Sequence, residues 1–219
     1  MPLVASSRQP DPPCAGWFAG AAGQAILASE AALLQGALQE GPAQATLWFA
    51  PNTGPTSASA GQGALMRLCW AAQGFDGDLR CGLPLPLASE SCGRVLLQHV
   101  ADAATDPMAL LEECSRVLLP GGRLWLLALN PLAPYRVRWR GTGLRTSEPV
   151  IWRRRLRAVG LTPDPVSQGL GPTWRVASDA AVQDGAGLRA AFLLRAEKRS
   201  SPLTPAKARR SVRWQPGAA

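Results

Sequence analysis

The clearest hydrophobic pattern in the chain lies between residues 83 and 130. An apolar run at residues 95–97 follows a turn-rich segment and predicts a short strand that is buried on both faces. A second run, residues 124–129, continues without a polar side chain and predicts another buried strand. Two such strands joined by a helix form the right-handed crossover unit of a parallel sheet.

The segment between these two strands has the start, the face and the end of a helix. Asp106 can accept hydrogen bonds from the first free amides, and Pro107 costs no bond at the first helical position. Residues 120–122, Pro-Gly-Gly, end the helix because glycine readily takes a positive φ. The apolar residues at helical spacing, which predict one buried face, are Met108, Leu110, Leu111, Cys114, Val117 and Leu118.

Hydrophobic periodicity and turn residues predict further elements on both sides of this unit. They are a helix at residues 17–38, strands at 45–50 and 64–70, a helix at 151–160 and a final strand at 190–194. We therefore expect one α/β domain over residues 17–197. A disordered, proline-rich lead-in (1–16) precedes it, and a basic flexible tail (198–219) follows it.

The composition is that of a globular protein. The chain has 219 residues, of which 47% are hydrophobic and 17% are charged. No apolar run approaches the roughly 18 residues of a membrane span, and the N-terminus lacks the features of a signal peptide. Five cysteines without C-x-x-C spacing and a single histidine argue against a zinc site. Because buried thiols persist in reducing compartments, we expect a cytoplasmic protein.

Positive charge is concentrated in the last third of the chain. Residues 1–150 carry 10 basic and 11 acidic residues, whereas residues 151–219 carry 13 basic and 4 acidic residues. Residues 135–157 contain eight arginines and one acid, interleaved with Trp139 and Trp152. This segment predicts either a site for an anionic acceptor or a solvated loop and helix face. The basic C-terminal third is also a candidate contact for nucleic acid or another acidic partner.

Three segments, LPLPLASES, LLQHVADAATDP and LLEECSRVLLPGGRLWLLALNP, keep a characteristic order and spacing. They resemble the second half of class I S-adenosylmethionine-dependent methyltransferases with a type 11 methyltransferase domain. The resemblance implies a Rossmann-like parallel sheet with helices on both faces and an antiparallel last strand. It also implies S-adenosylmethionine as the cofactor and methyl transfer to a small-molecule acceptor that the sequence does not identify. The arginines of residues 136–157 would suit an acidic acceptor.

The first half of the chain departs from this family at the cofactor anchors. Family members usually follow the first strand with an acidic residue and G-x-G-x-G, because the backbone must turn sharply and approach the cofactor. Here Trp48 stands in the acidic position and residues 50–54 are A-P-N-T-G, so only Gly54 matches. Trp70 ends the second strand, where a carboxylate normally holds the ribose hydroxyls.

The resemblance implies seven cofactor-binding positions, which are Ala50, Asn52, Gly54, Asp78, Leu79, Gln98 and His99. The segment FDGDL, residues 75–79, leads toward the family's third strand. Asp78 in it resembles the carboxylate that accepts from the adenine amino group, and the alternative is a surface turn residue. His99 follows a predicted strand, where it contacts the cofactor or acts as a catalytic base, and the alternative is a structural hydrogen bond.

Two functions remain open at the level of the sequence. One is S-adenosylmethionine-dependent methyl transfer. The other is a pseudoenzyme that keeps the methyltransferase fold, has lost cofactor binding and serves as a protein or nucleic-acid binding module. The second is favoured by the substitutions at Trp48, Ala50, Asn52 and Trp70, which all fall on cofactor anchors.

Overall fold

The computed structural model describes residues 13–40, 42–51, 63–71 and 74–199. The α-helices in these ranges are α1 (Pro13–Ala19), α2 (Ala21–Gln39), α3 (Val100–Ala103), α4 (Pro107–Val117) and α5 (Pro149–Ala158), and a 3-10 helix spans Pro134–Arg138. The strands are β1 (Thr46–Ala50), β2 (Leu65–Ala71), β3 (Gly74–Gly77), β4 (Cys92–Gln98), β5 (Leu118–Leu129), β6 (Thr162–Pro163), β7 (Gln168–Leu170), β8 (Gln183–Asp184) and β9 (Ala191–Glu197).

One mixed sheet contains these strands. Its order is β3-β2-β1-β4-β5-β9-β7-β8, and β6 pairs with β9. β2, β1, β4 and β5 are parallel to one another, whereas β9 runs antiparallel to β5. The predicted α/β fold, with a mostly parallel sheet and an antiparallel last strand, is confirmed.

The edge strand β3 differs from the third parallel strand toward which the FDGDL segment was expected to lead. β2 and β3 are antiparallel, with Leu68 opposite Gly77 and Trp70 opposite Phe75. Only two residues separate the end of β2 from the start of β3. Because a parallel pair needs a crossover of a dozen or more residues, so short a connection requires a hairpin.

Helices cover both faces of the sheet, as expected. On one face, Trp152 of α5 and Leu111 of α4 share a buried core with Phe49 of β1. On the other face, Phe18 of α1 packs in a second core that includes Leu96 of β4. Successive strand residues point to opposite faces, so each central strand contributes to both cores. Within the described ranges, no helix combines the length and the apolarity that a membrane span requires.

Helix α4 begins at Pro107 as the sequence predicts, but it ends at Val117, so Leu118 and the Pro-Gly-Gly residues belong to β5. The carboxylate of Asp106 accepts from the backbone amides of Met108 at 2.9 Å and Ala109 at 3.1 Å, so it caps the helix. After the helix, Gly121 has a φ of +77°, a conformation that favours glycine.

The ends of the domain differ from the predicted boundaries. α1 begins at Pro13, so residues 13–16 of the expected disordered lead-in are helical, and α1 and α2 are separated at Gly20. At the other end, the backbone amide of Lys198 donates to the carbonyl of Gly122 at 2.9 Å. This bond attaches the first residue of the predicted tail to β5. Residues 1–12 of the lead-in and residues 200–219 of the tail lie outside the described residues.

Candidate functional site

Four parallel strands, β1, β2, β4 and β5, end at one edge of the sheet. Ala50 of β1 pairs with Cys69 of β2, and the residue before Ala50 pairs with Leu97 of β4. Ala50, Trp70 and Gln98 therefore mark a common carboxyl edge. Ligands of open α/β sheets bind outside this edge, so it is the candidate site.

A buried ion pair joins helix α2 to the carboxyl edge. Nε2 of His99 lies 2.8 Å from a carboxylate oxygen of Glu30, and neither side chain is exposed to solvent. The second carboxylate oxygen of Glu30 accepts from the side-chain amide of Gln98 at 2.9 Å. Because a buried carboxylate is tolerated only when it is paired and hydrogen-bonded, these contacts hold α2 against the end of β4.

Nδ1 of His99 faces a second carboxylate. It lies 3.4 Å from Asp102 of α3, whose carboxylate also accepts from the backbone amide of Leu129 at 2.8 Å. The ring of Phe18 stacks on the imidazole, with centroids 4.8 Å apart and planes 23° apart. His99 is thus surrounded by residues of α1, α2, α3 and β5, and its backbone takes a φ of 57° at the end of β4.

The two carboxylates determine the protonation of His99. Burial by itself lowers the pKa of an imidazole, but Glu30 and Asp102 outweigh this effect and raise the pKa of His99 to about 9. Burial raises the pKa of Asp102, although the hydrogen bond with His99 acts in the opposite direction. His99 is therefore a cation at neutral pH.

Of the two roles considered for His99, this geometry favours the structural one. A general base has to be neutral and has to reach the acceptor, whereas this imidazole is protonated, enclosed and engaged at both nitrogens. The catalytic role of His99 stays a prediction.

Sequence analysis does not single out Glu30 or Phe18. A signal for Glu30 is present in α2, where Ile26, Glu30 and Leu34 recur four residues apart and are buried on one face. A lone carboxylate within a buried face needs a buried partner, and the chain contains one histidine. No comparable signal identifies Phe18, which resembles any other core residue.

Tryptophans stand at the two positions where the family has carboxylates. The indole of Trp48 is buried, and the guanidinium of Arg67 lies 5.1 Å from its ring centroid. Trp70 stacks on Phe75 with centroids 4.6 Å apart, and its Nε1 donates to the carbonyl of Val100 at 3.0 Å. The side chain of Trp70 thus reaches from the end of β2 to α3, along the edge where a ribose-binding carboxylate would stand.

Ala50 and Gln98, two of the predicted cofactor contacts, lie at the carboxyl edge. Both are buried, and Gln98 is bonded to α2. Asn52 and Gly54, which belong to the degenerate glycine motif, lie outside the described residues.

Asp78 lies away from the carboxyl edge, which corrects the expectation that it contacts adenine there. Its exposed carboxylate accepts from the backbone amide of Arg67 at 2.7 Å. Arg67 precedes the end of β2 by four residues, or about 13 Å of strand. The antiparallel hairpin carries Asp78 to that level, so it is a surface turn residue. Leu79 follows it and packs, partly buried, against the core.

The two tryptophans of the basic segment are not placed as expected for a site that stacks an anionic acceptor on aromatic side chains. Trp139 and Trp152 are both buried, Trp139 beside Tyr135 and Trp152 in the core beneath α5. Neither indole is therefore available to stack on a nucleobase or on an aromatic acceptor. The arginines Arg136, Arg138 and Arg140 around Trp139 are exposed.

The sheet order and the carboxyl edge define a Rossmann-like α/β protein, and known methyltransferases resemble it in fold and in one segment. The family model for the methyltransferase domain matches residues 63–126. A ubiquinone biosynthesis O-methyltransferase from Parvibaculum lavamentivorans is 37% identical over 62 residues, which are 27% of this chain and 24% of that protein. The chain thus spans about a quarter of the length of the curated relative it matches.

Solved structures show the same fold at low sequence identity. A methyltransferase from Thermotoga maritima, described as a possible histamine N-methyltransferase, is 17% identical with a TM-score of 0.57, covering 84% of this chain and 94% of that one. The 1,6-didemethyltoxoflavin-N1-methyltransferase of Burkholderia thailandensis, solved with S-adenosylhomocysteine, is 14% identical with a TM-score of 0.53, covering 91% and 93%. The resemblance to class I S-adenosylmethionine-dependent methyltransferases is confirmed in the fold and in the matched segment.

Proposed function

We propose that the protein transfers a methyl group from S-adenosylmethionine to an acceptor that is still to be identified. One observation carries the proposal. The segment that matches the methyltransferase family model, residues 63–126, folds into β2, β4 and most of β5, three of the strands that end at the candidate site. The cofactor supplies an electrophilic methyl group on a sulfonium cation.

The residues at the carboxyl edge fit this cofactor in part. Ala50 is small where the backbone has to come close to a ligand, and with Asn52 and Gly54 it would hold the methionine part. Gln98 would border the cofactor at the end of β4. Trp70 replaces the usual carboxylate with an aromatic surface, so the nucleoside would be held by stacking rather than by bonds to the ribose hydroxyls.

The chain's own contribution to the reaction is mainly positioning. Transfer to a nucleophile held in line with the methyl group depends on proximity and orientation. The contacts of Glu30 with Gln98 and His99 fix α2 at the edge of the site, where it excludes water. We assign His99 to holding Glu30 and Asp102 in place, not to accepting a proton.

Calorimetric titration of the full chain with S-adenosylmethionine and S-adenosylhomocysteine tests the proposal. A ligand present at 100 times its Kd raises the free energy of unfolding by about 2.7 kcal/mol, which a thermal unfolding curve detects. We expect Trp70→Ala to weaken binding by about tenfold, since stacking on a base contributes about 1 to 3 kcal/mol. Trp174→Ala is the matched control, because it removes an exposed indole that takes no part in the contacts of Trp70 with Phe75 and Val100. Absence of binding at millimolar concentrations of both ligands would refute the proposal that the protein is a methyltransferase.

A second candidate function is a cofactor-free binding module with the same fold. It is favoured by the indoles of Trp48 and Trp70 at the carboxylate positions and by the direct bonds of Glu30 to the end of β4. Such a module would show neither heat nor stabilisation in the titration. If its partner is nucleic acid bound by the basic C-terminal third, a polynucleotide column should retain the protein in a salt-dependent way.

We further propose that the protein resides in the cytoplasm. Cys81, Cys92 and Cys114 are free thiols, which is the usual state in a reducing compartment. Fractionation of cells that express the tagged full chain tests this location, and recovery from an oxidising compartment would contradict it.

A further inference from the structure

Several large apolar side chains are exposed after the end of β5. Leu132, Val137, Trp174 and Leu188 are each 60–61% exposed. Isolated apolar residues are common on protein surfaces and have no special meaning, so the question is whether these four lie together.

Hydrogen bonds bring these residues into one region. The guanidinium of Arg138, next to Val137, donates to the carbonyl of Trp174 at 3.1 Å. The side chain of Arg136 donates to the carbonyl of Pro131, which precedes Leu132, at 3.1 Å.

The same region includes the loop before β9. The side-chain amide of Asn130 donates to the carbonyls of Gly187 and Arg189, both at 2.9 Å, and these two residues flank Leu188. The backbone amide of Leu132 donates to the side-chain oxygen of Asn130 at 3.1 Å. We call the resulting region, residues 131–140, 173–176 and 187–188, the apolar-basic surface.

The charge on this surface is entirely positive. Its exposed arginines are Arg136, Arg138, Arg140 and Arg175, and residues 131–140 and 173–176 contain no acid. None of these arginines forms an ion pair with a carboxylate among the described residues. Uncompensated guanidinium groups beside exposed aliphatic and aromatic side chains form a surface that is both cationic and apolar.

We propose that the apolar-basic surface docks the protein on the surface of an anionic phospholipid membrane. Arginines there would meet lipid phosphates, while Leu132, Val137 and Leu188 would enter the boundary between head groups and acyl chains. Trp174 suits that boundary because its indole has an apolar ring and a polar N–H.

Nucleic acid fits the surface less well than lipid does. Binding of single strands relies on stacking of bases on aromatic side chains, but Trp139 is buried and only Trp174 is an exposed aromatic side chain here. Branched aliphatic side chains have no counterpart on a phosphate backbone, whereas they match acyl chains.

Co-sedimentation of the full chain with lipid vesicles tests the proposal. We expect binding to vesicles that contain phosphatidylglycerol, weakening as salt is raised, and little binding to pure phosphatidylcholine. Arg136→Gln combined with Arg140→Gln should lower partitioning by about twenty-five-fold, from about fivefold for each arginine near an anionic surface. Trp174→Ser should lower it by about tenfold, by removing apolar area that enters the lipid.

The matched control is Arg154→Gln combined with Arg157→Gln. Both arginines are exposed on α5, which packs on the opposite face of the sheet, and this variant carries the same net charge as the first double variant. It should partition like the unmodified protein. All of the substituted side chains are exposed, so circular dichroism is expected to show the same fold throughout.

Three results would overturn the proposal. The first is no binding to anionic vesicles at moderate salt. The second is an equal loss in both double arginine variants, which would mean that total charge, including that of the tail, accounts for binding. The third is a single-stranded polynucleotide that displaces the protein from vesicles and loses affinity on the same substitutions, which would assign the surface to nucleic acid.

Discussion

Replacement of Glu30 by glutamine separates the charge of the buried cluster from its shape. Glutamine has almost the size of glutamate and can still bond to Gln98, but it carries no charge opposite His99. In the native protein the carboxylate of Glu30 lies 2.8 Å from Nε2 of His99, and both side chains are fully buried. Glu30→Gln therefore tests whether the ion pair stabilises the position of α2.

The pKa of His99 sets the size of the expected effect. Its rise from 6.5 to about 9 corresponds to about 3 kcal/mol of stabilisation when the imidazole is protonated in both states. The charge of Glu30 makes the largest contribution to this rise in pKa. Glu30→Gln should therefore lower the free energy of unfolding by about 2 to 3 kcal/mol at pH 6, which is near the range measured when one partner of a buried ion pair is removed.

The loss should depend on pH with a definite sign. Because the pKa of His99 is higher in the folded state, its contribution is fully present below pH 6.5 and disappears as the pH rises through about 9. The difference in unfolding free energy between native protein and Glu30→Gln should therefore be largest at pH 6 and narrow above pH 9.

Urea unfolding followed by tryptophan fluorescence, at pH 6 and pH 9.5, measures this difference. Glu40→Gln is the matched control, since Glu40 pairs with Arg123 and both side chains are substantially exposed. An exposed pair contributes only about 0 to 1 kcal/mol. The reasoning is refuted if Glu30→Gln is no more destabilising than Glu40→Gln at pH 6, or if its effect is the same at both pH values.

Two further predictions concern packing. A Cβ at Gly23 would lie 2.5 Å from Cα of Phe18, so Gly23→Ala should force α1 and α2 apart and lower the free energy of unfolding by about 1 to 3 kcal/mol. A Cβ at Gly36 in the same helix would meet no neighbouring atom, so Gly36→Ala should raise the free energy of unfolding by about 1 kcal/mol. Thermal unfolding compares the two, and equal effects would contradict the contact. Burial raises the pKa of the Cys114 thiol, so a thiol reagent should not label Cys114 in the native protein, whereas the partly exposed Cys81 should react. Mass spectrometry of the labelled peptides measures both rates, and faster labelling of Cys114 than of Cys81 would contradict the buried position of Cys114.

The elements of this protein could be predicted largely from local sequence. The apolar runs identify β1, β4 and β5, and the Asp106-Pro107 start defines α4 to within a residue. These features depend on neighbouring residues only, through side-chain periodicity and the capping of free amides. The order of segments around the Pro-Gly-Gly turn also identified the methyltransferase fold.

The direction of β3 depends on more than local sequence. The residues FDGD are compatible with a parallel or an antiparallel strand, and the choice is made by the short connection to β2 and by the pairing of Trp70 with Phe75. That choice places Asp78 beside Arg67 instead of at the carboxyl edge. Register with a neighbouring strand is a property of two segments, so one segment cannot specify it.

The partners of charged and aromatic residues were likewise decided by the tertiary structure. Spacing in α2 places Glu30 on a buried face, but it does not say that His99, distant in sequence, receives its carboxylate. Trp139 and Trp174 have the same side chain, yet packing buries the first and leaves the second exposed next to exposed arginines. Hydrophobic periodicity predicts which face of a helix or strand is buried. The packing of distant elements determines which residues contact that face, and the candidate site is built from such contacts.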